Sequence, residues 1–136
     1  MTRADRIAVH EASHATIARV LKLPYAGPAS CLEPNAYAKF TCNDGERSIC
    51  TLLAGQVAEC EFCGASDDYG NSGDDRLIAE RLRWLGLTDA SLLLGKTLTL
   101  VRKHRATIIE LATKLKQAGT LDGPSIDDIV DGRGQF

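Results

Sequence analysis

The residues best suited to chemistry in this 136-residue chain stand near its start, in the run His10-Glu11-Ala12-Ser13-His14. On a helix, side chains four residues apart lie about 40° from eclipsed, so both imidazoles point the same way. Two ring nitrogens can then reach one metal ion at roughly 2.0–2.1 Å. Glu11 is offset around the helix, where its carboxylate can reach a metal-activated water without becoming a ligand. Such a glutamate takes the water's proton as the oxygen attacks a carbonyl, then passes it to the departing amine. This is the His-Glu-x-x-His logic of metallopeptidases. A single histidine on an apolar stripe usually serves packing alone. Here two histidines and an acid fall inside an otherwise apolar helix, and burying them unpartnered costs on the order of several kcal/mol. A bound Zn2+ removes that cost. For a third ligand, the residues alone leave Glu59, Asp67, Asp68 and His104 equally admissible.

The elements that must position these groups are mostly helical. Ile7, His10, His14, Ile17 and Leu21 recur at spacings of three and four, which predicts a small-residued, buried helix over 4–21. Pro24 and Gly27-Pro28 end it. Short mixed runs at 29–32 and 37–42 predict a small hairpin. A second helix is expected over 46–62, with Ile49, Leu53, Val57 and Cys60 on one face. After a loop rich in Gly, Asp and Ser, Ser72 and Asp75 form a capping-box pattern for a third helix over 74–85. A long pattern over 89–117 is expected to break near its middle, with Gly119 as its C-cap. Residues 124–130 suit one last turn of helix.

The length fits a single domain over 1–136, and the fold class expected is mainly α (α+β). A net charge of −2 supplies no basic footprint for nucleic acid. The apolar runs are too short to span a membrane, and the first residues lack a signal peptide's apolar stretch. Five cysteines without an export signal suit a reducing cytoplasm.

Four segments together resemble the peptidase domain of the FtsH-type ATP-dependent zinc proteases. They are 8–15 with its two histidines, Leu52-Leu53-Ala54-Gly55-Gln56-Val57-Ala58-Glu59, the aspartates after Asn71-Ser72-Gly73, and 110–115 with Thr120-Leu121-Asp122-Gly123. The likeness runs nearly end to end and in order. It implies a zincin-like helical domain with a small β element, His10 and His14 as zinc ligands, Glu11 as catalytic base, and an aspartate at the start of the third helix as the remaining ligand. Asp75 is preferred, because the family pattern places a small residue four positions after the ligand, where Ala79 stands, and Leu82 shares its face. Asp74, backed by Ile78 and Leu85, is the rival. Ser13 stands where the family has glycine, and Gln56-Val57 where it has Arg-Ala. His10 lies nine residues from the first residue, so the resemblance implies a stand-alone domain without the family's ATPase module and membrane anchor. Its expected substrates are unfolded or small peptides, unless a separate unfoldase acts with it; the oligomeric state is left open. The alternative class is a non-catalytic, zinc-stabilised peptide-binding module.

Three other features take plainer readings. Cys60 and Cys63 are expected to be buried, inert thiols, and a bridge between Cys31 and Cys42 is not expected. The run Arg102-Lys103-His104-Arg105 is expected to be a solvated helix face. Trp84 is expected in the core.

Overall fold

A computed structural model describes residues 2–64 and 71–132, with side chains in the second stretch described from Asp74 onward. It is mainly helical, with a small antiparallel sheet, as the patterning implies. The elements run α1 (Arg3–Val20), β1 (Ala26–Ser30), β2 (Tyr37–Phe40), α2 (Gly45–Cys63), α3 (Asn71–Trp84), α4 (Ser91–Lys103), α5 (Arg105–Ala118), β3 (Thr120–Leu121) and α6 (Gly123–Asp131). None of the described helices is long and apolar enough to cross a membrane.

Helix α1 is the axis of the molecule. Thr2 caps it: its hydroxyl accepts from the Asp5 amide, while the Asp5 carboxylate accepts from the Thr2 amide. Every residue from Ile7 to Ala18 is buried, polar ones included. That is affordable sterically because alanines and one serine occupy much of its circumference, letting α2 and α5 approach closely. Ser13 fits, since its hydroxyl donates to the Val9 carbonyl at 2.8 Å within the same helix.

The main core joins Val9, Ile17, Val57, Val101, Ile108, Leu111, Leu115 and Ile126 around α1. A second cluster, built from Ile49, Leu52, Leu53, Ile78, Leu82 and Leu93, holds α3 and α4 to α2. The sheet order is β2-β1-β3, with β1 antiparallel to both neighbours. The expected hairpin is therefore present, and β3 joins it unforeseen. Two residues carry no readable period; the strand exists because Gly119, at φ +82°, turns the chain so that its carbonyl accepts from Cys31.

The long C-terminal pattern breaks at His104. The bend lets Leu93, Thr97 and Val101 face α2 while Ile108, Leu111 and Leu115 face α1. Four expectations need correction. Helix α3 begins at Asn71, so Ser72 lies within it and is not its cap. The tail forms a nine-residue helix, capped by Asp122, where one turn was expected. Trp84 is 67% exposed, because it follows the last inward-facing turn of α3. Cys60 is also exposed, at the solvent side of α2, while Cys63 is half-buried. All five cysteines are free, and Arg102, Lys103 and Arg105 are exposed as expected.

Arg19 closes the end of α1 over the sheet. Its buried guanidinium donates to Asp127 at 2.6 Å, to the Ala15 and Gly27 carbonyls at 3.0 Å and to the Ala26 carbonyl at 3.2 Å. Replacement Arg19→Met keeps the stem but orphans these acceptors. It should destabilise the protein by about 2–3 kcal/mol in denaturant unfolding; a change below roughly 0.5 kcal/mol would show the cluster to be dispensable.

Candidate metal centre

His10 and His14 project from the middle of α1 toward α2, their ring centroids 4.6 Å apart and their planes at 82°. Each Nδ1 is occupied by a partner from α2. That of His10 meets Glu59 Oε1 at 2.5 Å, and that of His14 donates to the Thr51 carbonyl at 2.7 Å. A carbonyl can only accept, so His14 Nδ1 carries a proton and Nε2 is the nitrogen turned to the other groups of the site. The Glu59 carboxylate favours the same arrangement at His10. Both Nε2 atoms therefore face one point, 3.0 Å apart.

Asp74, in the first turn of α3, completes the group. Its Oδ2 lies 2.9 Å from His10 Nε2 and 3.1 Å from His14 Nε2. The three form a group able to hold a metal ion, their ligand atoms lying within 4.8 Å of one another. A tetrahedral zinc with bonds of roughly 2.0–2.1 Å would space its ligand atoms about 3.3–3.4 Å apart. Only a few tenths of an ångström of outward movement is needed.

Gly55 makes the convergence sterically feasible. A Cβ there would lie 2.7 Å from His10 Cε1, His10 Nε2 and His14 Nε2 alike. The missing side chain is the space into which the two ring tips fit, one turn of α2 away from both Thr51 and Glu59.

The electrostatics also favour a cation. Glu11, Glu59 and Asp74 surround the two imidazoles. Burial pushes the His10 imidazole down, but hydrogen bonds to Asp74 and Glu59 and the charge of Glu11 outweigh it, raising its pKa to about 10. For Asp74, burial acts upward; the His14 charge and the hydrogen bonds to both histidines hold its carboxyl well below the usual carboxylate range. Burial raises the Glu11 carboxyl above its ordinary value, against the opposing pull of His14 and His10. Glu11 is 5% exposed and, among the described residues, its carboxylate makes no hydrogen bond. It lines a cavity of about 200 Å³ together with His10, His14, Tyr37, Phe40, Cys42, Asp74 and Leu77.

The sequence expectations fare unevenly against this geometry. His10, Glu11 and His14 come together as expected. Asp75 does not join them: it is exposed, and Asp74 faces the histidines. The reason lies one turn on, where α3 buries Ile78 and leaves Ala79 exposed, turning the stripe of Asp74 inward. Glu59, admissible as a third ligand by sequence, serves the opposite nitrogen of His10 instead. His104 lies at the junction of α4 and α5, outside the group. Asp67 and Asp68 lie outside the described residues. Sequence reasoning missed the Thr51 carbonyl, which no side-chain motif can signal, and the role of Gly55, whose place one turn before Glu59 was the available hint.

No family model matches the chain, and no curated protein matches it either.

Gly55→Ala should weaken Zn2+ binding by about 10–100-fold, the range typical of disturbing groups that orient metal ligands. Asp74→Asn should weaken it comparably and Asp75→Asn not at all. Competition with a chromophoric chelator measures all three; equal effects at positions 74 and 75 would overturn the assignment.

Proposed function

We propose that this chain is a zinc-dependent metallopeptidase of the FtsH-type peptidase class, acting on unfolded or small peptide substrates. One observation supports hydrolysis over mere metal capture. Glu11 is a buried carboxylate without a hydrogen bond among the described residues, and it borders the same cavity as the two Nε2 atoms. Holding a cation requires His10, His14 and Asp74 only; an extra acid beside them, its proton affinity raised by burial, suits proton transfer.

Zinc held by these three ligands would polarise a scissile carbonyl and lower the pKa of a bound water toward about 7. The Glu11 carboxylate, with its raised proton affinity, accepts a proton from the attacking water and returns it to the leaving amine. Glu59 and the Thr51 carbonyl keep the imidazoles in one tautomer and orientation. Strand β2 forms one wall of the cavity through Tyr37, Ala38 and Phe40. It pairs with β1 on one side, and among the described strands its other edge is unpaired. An extended peptide adding to that edge would pass the metal site with its backbone hydrogen-bonded. The five free cysteines suit a reducing, cytoplasmic setting.

A second reading has its own support. The ligands tie α1 to α3, so a metal acting purely as a staple in a peptide-binding module would use the same residues. Digestion of an unfolded protein such as casein separates the two. The zinc-loaded wild type should cleave it, and Glu11→Gln should retain zinc while losing at least about 100-fold in rate. Equal inertness of both proteins across varied peptides would establish the staple.

A further inference from the structure

Asp74 reaches the histidines from a helix whose other attachments to the body are mostly apolar. Ile78 and Leu82 of α3 pack against Ile49, Leu52 and Leu53 of α2. Such contacts resist separation but do not fix position along or around the helix, because apolar attraction has no direction. A slip of one residue would rotate α3 by about 100° and shift it about 1.5 Å, taking the carboxylate off the Nε2 atoms.

Arg81 supplies the missing direction. It stands seven residues after Asp74, two turns along the same stripe. Its side chain is buried, although both of its acceptors are neutral. Nε donates to the Cys42 carbonyl at 2.5 Å, and a terminal nitrogen donates to Asn43 Oδ1 at 2.7 Å. The guanidinium also stacks on Trp84, 4.3 Å from the ring centroid, which fixes its plane from the outer side. Cys42 lines the same cavity as Asp74 and Leu77, so the guanidinium ties α3 to a second segment of that lining.

We infer that Arg81 is a positioning residue for the metal site, fastening α3 to the segment after β2 so that Asp74 is held at His10 and His14. This rests on the reading of His10, His14 and Asp74 as metal ligands, and not on peptide hydrolysis. A planar fork serves where an ammonium cannot, because two acceptors in fixed directions must be met together.

The test is Zn2+ affinity by chelator competition, with the visible spectrum of the Co2+-loaded protein and the melting temperature of the metal-free protein alongside. Arg81→Met should weaken zinc binding at least about tenfold and alter the Co2+ spectrum. In an Asp74→Asn background the same change should have no further effect on zinc affinity. Arg81→Lys, which retains the charge, should also bind more weakly and serves if the methionine variant fails to fold. Wild-type affinity in both Arg81 variants would overturn the inference. So would an equal loss with and without Asp74, since the guanidinium would then contribute stability alone. A wild type that binds zinc but digests nothing would defeat the peptidase reading and leave this result standing; a wild type with no zinc affinity would overturn both.

Discussion

Ionisable groups are expensive to keep away from water, and five of them meet inside this small protein. His10, Glu11, His14 and Glu59 are buried, and Asp74 enters from the rim. Buried charge is tolerated only when opposite charge and hydrogen bonds meet it from fixed directions. Here carboxylates alternate with imidazoles, and each imidazole is pinned at Nδ1 before its Nε2 is presented. Much of the architecture follows from this. Helix α1 has to be central and slender, α2 has to lack a side chain at Gly55, and α3 has to start beside the histidines rather than below them.

The same arrangement relates stability to metal capture. Three carboxylates face two imidazoles, so the cluster attracts positive charge, and Asp74 and Glu59 raise the proton affinity of His10 despite its burial. A cation held by His10, His14 and Asp74 would join α1 to α3 through one centre. Binding free energy of that kind acts on folding as well. The second hydrophobic cluster packs α3 against α2, and directed bonds from Asp74 and Arg81 reach His10 and the Cys42 carbonyl from the same helix.

Much of this was legible in the sequence, for physical reasons. The histidine pair could be read because four-residue spacing has one meaning on a helix, and the small residues around it announced burial. The hairpin and the break in the long C-terminal helix followed from turn residues and from the limits of a small core. The choice between Asp74 and Asp75 was not legible. Neighbouring helical residues differ by about 100° in direction, and the decision depended on whether Ile78 or Ala79 met α2. Ile78 does, as the larger apolar side chain. Trp84 misled for a related reason: its ring suggested the core, yet it covers the outside of a buried guanidinium. Glu59 was visible as an acid near the site, but spacing cannot say which imidazole nitrogen it serves.

Which atoms surround a bound cation decides whether these residues form a metal centre, and X-ray absorption of the zinc-loaded protein reads that directly. A centre built from His10, His14 and Asp74 gives a shell of nitrogen and oxygen at about 2.0–2.1 Å with the outer scattering of two imidazoles, and no sulfur near about 2.3 Å. A sulfur shell from any of the five free cysteines, or an imidazole signature that survives replacement of both His10 and His14, would contradict it.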